Sequence, residues 1–217
     1  MRSHRGVLVT GFEPFDGDTV NPSQDVACAL DGAVVEGHRI VARVLPCAFE
    51  SSLAALDAAL AETKPALVVA LGLAAGRAEL SFERVAVNLV DARIADNAGA
   101  QPVDRLVIAG APAARFTTLP VKAIVAALGE GGIPASLSLS AGSYVCNATF
   151  FVLMHRLARR RSTRGGFVHL PLLPEQVAQR VGQPSLPLAV QVEGIRLAIA
   201  TAVHVRTDVV YAAGSLA

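Results

Sequence analysis

Short, uniformly apolar runs closed by glycine or proline recur along this chain and alternate with helix-patterned segments. "GVLVTG" at 6–11, "ALVVALG" at 66–72 and "GGFVHLPLLP" at 165–174 are too short for buried helices and lack the polar alternation of a half-solvated strand. Such runs read as strands covered on both faces, and that demands a mostly parallel sheet with helices on either side. The intervening segments supply the helices. Asn21 precedes Pro22 as an N-cap before a first-turn proline, opening a helix toward Leu30. "ESSLAALDAALAET" is helical and stops before Pro65, "VKAIVAALGEGG" ends on glycines, a helix starts near Cys146 and runs to about Arg161, and "LAVQVEGIRLAIATAVHV" is the last. "HRIVARVLP", "LSFERVAVNL" and "ASLSLS" read as further strands, and a long Gly/Pro-rich segment covers Asp91 to Leu119. The expected architecture is a single α/β domain over residues 1–217, a three-layer α/β/α sandwich with a mostly parallel central sheet.

Composition excludes several classes of function. With 19 basic and 18 acidic residues and no charged block, nucleic acid and anionic membrane are poor partners. Mean hydropathy is high at +0.48, yet the apolar stretches fall short of the roughly 20 residues a spanning helix needs. The longer C-terminal stretch is interrupted by Glu193 and Arg196. "MRSHRGVLVTG" has no signal-peptide pattern, so a cytoplasmic location is expected. The three cysteines, Cys28, Cys47 and Cys146, have neither CxxC spacing nor an even count. That argues against a disulfide framework and against a structural metal, and leaves a free thiol available for chemistry. No GxGxxG, P-loop or HExxH motif is present, and no cofactor or metal is expected.

In sheets of this kind sites form at the carboxyl ends of strands and the amino ends of the following helices. Cys146, in "SLSLSAGSYVCN", lies after a strand and a turn at the start of a helix. The helix dipole and free N–H groups there favour a thiolate, lowering a pKa of about 8.5 when unperturbed, and could receive an oxyanion. A buried structural cysteine is the ordinary alternative. His169 sits where an apolar strand meets a Pro-rich loop, and a neutral imidazole suits the base such a thiol needs. His4, His38, His155 and His204 are placed less favourably. Glu83 could orient an imidazole; its bland alternative is a solvated strand-edge charge paired with Arg84. Phe12 and Phe15, in "GFEPFDG", could wall an apolar slot or simply plug the core.

"VLVTGFEPFDGDTVNPS", "ERVAVNLVDARIADN", "GSYVCNATFF" and "GGFVHLPLLPEQ" together resemble the signature segments of the pyroglutamyl peptidase I family, in order from about Val7 to Gln176. The resemblance implies a cysteine peptidase that removes N-terminal pyroglutamyl residues from peptides, needs no metal and assembles as a homotetramer. It implies a triad of Cys146 as nucleophile, His169 as base and Glu83 as orienting acid. Phe12, Phe15, Arg93, Ile94, Val145 and Cys47 then fall at the substrate pocket. Leu73 stands where many members carry glutamine, Cys47 where some carry threonine, and Asp16 where glycine is common. A catalytically silent binding protein on the same fold, or a cysteine amidase for another small acyl group, remains as an alternative reading of the residues.

Overall fold

The computed structural model describes residues 6–160, 162–178 and 182–213. In chain order the elements are β1 (Gly6–Phe12), α1 (Pro22–Leu30), β2 (Val34–Val35), β3 (His38–Leu45), α2 (Phe49–Thr63), β4 (Leu67–Leu73), β5 (Leu80–Glu83), β6 (Val85–Val87), β7 (Ala114–Phe116), α3 (Val121–Glu130), β8 (Ala135–Ser138), α4 (Val145–Leu157), β9 (Arg164–Leu170), α5 (Pro174–Val177) and α6 (Leu188–His204). A seven-stranded sheet has the order β2-β3-β1-β4-β9-β5-β8. Its centre is parallel, β1 with β3 and β4, and β4 with β9; β5 runs antiparallel to β9 and parallel to β8.

Side-chain alternation along the strands creates two cores. Val7, Val9, Leu67, Val69, Leu71, Phe82 and Val168 face α1, α3 and α6. Leu8, Phe12, Val68, Ala70 and Phe167 face α2 and α4. The central strands are buried on both sides, which is why their sequences are continuously apolar. Local signals hold where they were expected. Asn21 Oδ1 accepts from the Ser23 N–H at 3.0 Å with Pro22 at the first helical position, and α2 ends on Lys64 with φ of 43° ahead of Pro65.

Two expectations fail. "LSFERVAVNL" is not one strand. The chain leaves the main sheet at Arg84, whose N–H bonds the Ser138 carbonyl and whose carbonyl accepts from Thr117. Val85–Val87 then pairs with Ala114–Phe116 as a separate two-stranded ribbon. Unbroken alternation hid the change of partner, because period two is the same in either sheet. The helix after Cys146 ends at Leu157, not near Arg161, where the apolar face gives way to exposed basic residues; Arg161 itself and His4 lie outside the described residues. The segment Asp91 to Leu119 contains β7 and is pinned by buried side chains. Asn88 bonds Ile108 through both N–H and carbonyl, and Asp96 accepts from Phe49, Ala98 and Ala100.

Candidate active site

The loop from β8 delivers the chain into α4, and Cys146 is the second residue of that helix. Asn147 beside it is fully buried. Its amide bonds the Val87 N–H and the carbonyls of Val87 and Leu89, so the start of α4 is stitched to β6 as a further strand would be. The N–H groups of the first helical turn have no carbonyl partner within the helix and face outward from its start.

His169 lies one residue from the carboxyl end of β9. Gly72 of β4 is its register partner on one side and Ser81 of β5 its partner on the other. All three point to the α2–α4 face. Glu83 stands two residues further along β5, diagonal to His169, and its Oε1 meets His169 Nδ1 at 2.8 Å. Nδ1 is therefore the protonated ring nitrogen and Nε2 is left as the base. A Cβ built on Gly72 would come within 2.8 Å of Cys146 Sγ and of the Phe167 ring. The missing side chain is what lets the sulfur lie over β4, at the position whose register partner in β9 is His169. Sequence reading passed over Gly72 because its requirement for glycine comes from a helix 74 residues later in the chain.

Glu83 is fully buried, and its partner is Arg77 at 2.8 Å, not the neighbouring Arg84. The solvated-edge alternative is thereby corrected: strand alternation directs Glu83 into the core face. Oε2 of Glu83 has no partner among the described residues.

The electrostatics depart from the helix-dipole expectation. Burial pushes the Cys146 thiol above its ordinary range. Cys47 and Glu83 add to the rise, while Arg77 and the residue's own backbone N–H oppose it. The residue keeps partial exposure, but its sulfur sits over Gly72, where the Phe167 ring also converges, and that local dryness outweighs the helix start. Burial also lowers His169, against the raising influence of Glu83. Both shifts favour a neutral thiol beside a neutral imidazole.

The other sequence-predicted residues are spread around this centre. Phe12 is 2% exposed and belongs to the core, so it backs the site instead of offering an open wall; its position at the inward-facing end of β1 decides this. Phe15 is half-buried, with its ring 6.2 Å from that of Tyr144. Asp16 has φ of 54° and Gly17 follows at 78°, a backbone conformation that favours glycine. Cys47 is buried, its thiol pushed up to about 12 by burial and then by Glu13 and Asp96. Its N–H bonds Glu13 Oε1 at 3.1 Å. Val145 is fully buried in the α4 core. Ile94 is half-buried, and Arg93 is exposed in the loop, its carbonyl accepting from Gln101. Tyr144 escaped sequence reading. Its ring meets Phe49 edge-on at 5.3 Å and its hydroxyl bonds the Ala95 carbonyl, tying the loop of Arg93 and Ile94 to the start of α4.

The sequence profile of the pyroglutamyl peptidase family matches residues 5–205. The chain is 54% identical over 212 residues to a pyrrolidone-carboxylate peptidase of Cupriavidus taiwanensis, covering 97% of this chain and 98% of that one. It is 51% identical over 203 residues to a protein of the same name from Klebsiella pneumoniae, covering 94% and 95%. Among solved structures, pyroglutamyl peptidase I of Bacillus amyloliquefaciens superposes with a TM-score of 0.94 at 41% identity, covering 97% of this chain and 100% of that one.

Proposed function

The chain belongs to the pyroglutamyl peptidase family, and from that premise we propose that it cleaves the N-terminal pyroglutamyl residue from peptides through Cys146, His169 and Glu83. The observation that carries this reading is the placement of Cys146 Sγ over the Gly72 gap, where the register partner of Gly72 is His169, whose Nδ1 is held by a buried carboxylate.

The neutral resting pair sets the order of events. The Cys146 Sγ–H proton passes to His169 Nε2 as sulfur bonds the carbonyl carbon that links pyroglutamate to the next residue. Free N–H groups at the start of α4, that of Cys146 first, receive the oxyanion. His169 returns the proton to the departing amine as the C–N bond breaks. It then takes a proton from the water that hydrolyses the thioester, releasing pyroglutamate and the thiol. Glu83 holds the ring in one tautomer throughout.

Pyroglutamate has no free α-amine and needs no carboxylate to bind it. Phe15, with Tyr144 and Phe49 beyond it, offers apolar ring faces to a flat lactam. Prolyl, glutamyl and glutaminyl conjugates carry a charged nitrogen that such a slot would strip of water without a partner, so they are poor substrates. Arg93, Ile94 and Cys47 belong to the surrounding wall in this reading. The reading extends to a cytoplasmic location, supported by three free thiols; no helix among the described residues is long and apolar enough to cross a membrane. It extends also to a homotetramer, supported by exposed Phe116, Leu106 and Val103 on the ribbon and its loop.

The deciding experiment compares release of a fluorogenic amine from pyroglutamyl, prolyl and glutaminyl conjugates by wild type and Cys146→Ala. Only the pyroglutamyl conjugate is expected to be cleaved, and Cys146→Ala is expected to be inactive with an unchanged melting temperature. Equal cleavage of the prolyl conjugate, or an active Cys146→Ala, refutes the reading.

A further inference from the structure

Glu83 Oε1 accepts two hydrogen bonds of 2.8 Å, one from His169 Nδ1 and one from Arg77. The carboxylate has no exposure, whereas the Arg77 side chain remains 28% exposed. Arg77 lies in the loop between β4 and β5, and its second terminal nitrogen donates to the Ser140 carbonyl at 3.2 Å. Ser140 belongs to the loop from β8 that carries the chain to Cys146. One guanidinium thus touches the acid behind the imidazole and the segment that delivers the thiol.

A carboxylate taken wholly out of water needs a compensating charge, and a neutral imidazole supplies a hydrogen bond but no charge. Arg77 is the cation in contact with Glu83. A fully exposed pair of this kind would contribute little; here the acidic end is dry, so loss of the cation leaves a buried charge uncompensated.

We propose that Arg77 is a positioning residue of this site: its ion pair with Glu83 holds the carboxylate against His169, and its bond to Ser140 fixes the loop that presents Cys146. The inference rests on the functional reading above. Arg77 touches neither the substrate nor the reacting atoms and acts through Glu83. The same cation opposes protonation of the imidazole and favours loss of the thiol proton. Removing it therefore moves both titrations to higher pH. Arg77 also borders an open surface hollow lined by Gly76, Ser81, Ser138 and Ser140, through which a small cation can reach its place.

The test uses Arg77→Ala and Arg77→Lys in a Cys28→Ser background, because Cys28 is exposed and would take up alkylating reagent. Three quantities are read: kcat and KM on a pyroglutamyl amide, the pH profile of kcat/KM, and the pH dependence of Cys146 alkylation by iodoacetamide. Arg77→Ala is expected to lose about tenfold to hundredfold in kcat, less than removal of a general base, with KM within about threefold. The acid limb and the alkylation profile should both move upward in pH. Arg77→Lys should recover most of the rate, and millimolar guanidinium should partly restore Arg77→Ala. An Arg77→Ala enzyme with unchanged kcat and unchanged profiles overturns the inference. So does a loss of activity with unmoved profiles and no recovery by lysine or guanidinium, since that marks a role in loop structure alone. If wild type fails to cleave the pyroglutamyl amide, the functional reading falls, while the alkylation profile still decides the part played by Arg77.

Discussion

The two faces of the sheet are built from the same strands and do different work. The face under α1, α3 and α6 is filled by aliphatic side chains such as Leu128, Ile124, Ile195 and Ile199, with Phe82 the aromatic among its buried members. The face under α2 and α4 holds Phe12, Phe150, Phe151 and Phe167. Its strands and helices also carry buried polar groups, including Thr10, Ser52, Asn147, Thr149, Glu83 and His169. Thr10 Oγ1 and Glu83 Oε2 lack partners there. A core made for stability avoids unpaired polar atoms. Gln191 Oε1 on α6 is unpaired as well, but the buried ionisable pair Glu83 and His169 lies on the α2–α4 face. That pair marks it as the face that accommodates chemistry, while the aliphatic face secures the strand positions on which that chemistry depends.

The comparison is broken most directly at His169. His169→Ala should lose about 10²–10⁴ in kcat, the scale of a general acid–base, and Glu83→Gln should lose less because the proton carrier survives. In wild type the lowered His169 pKa keeps the base unprotonated below the usual 6.5. The acid limb of kcat/KM should therefore fall below pH 6.5, and a limb well above that value would contradict the resting state described here.

Gly72 tests whether the site depends on a gap in the sheet. Gly72→Ala should cost about 10²-fold in kcat, because its methyl group would take the space of Cys146 Sγ and displace a reacting atom. Gly6→Ala is the matched control, since a Cβ there meets nothing within 4 Å. Comparable kinetics for the two variants would remove Gly72 from the account.

On the aliphatic face, Leu128→Ala should lower unfolding free energy by about 2–5 kcal/mol and leave kcat of the folded enzyme unchanged. Denaturant melts and active-site-normalised rates separate these effects; a loss of kcat would mean that the faces are coupled. The smallest effect is expected at the rim. Phe15→Ala should reduce kcat/KM by about 1–3 kcal/mol, the scale of apolar burial lost from a ligand, with no change in the pH profile.

Much of this was legible in the chain. Continuously apolar runs fix a covered, mostly parallel sheet, because burial on both faces leaves no place for polar alternation. Asn21 and Pro22 fix the start of a helix through capping that operates within a few residues. The segments around Cys146, His169 and Glu83 point to the family and to its candidate triad. Tertiary structure decided the rest. It broke "LSFERVAVNL" between two sheets, paired Glu83 with Arg77 over Arg84, made Gly72 the place where the thiol fits, and withdrew Phe12 into the core. It also reversed the expected direction of the Cys146 pKa. Each of these depends on which distant residues share a face. Side-chain period records only that a residue points inward, and desolvation, counter-charge and steric room are set by what the fold brings against it.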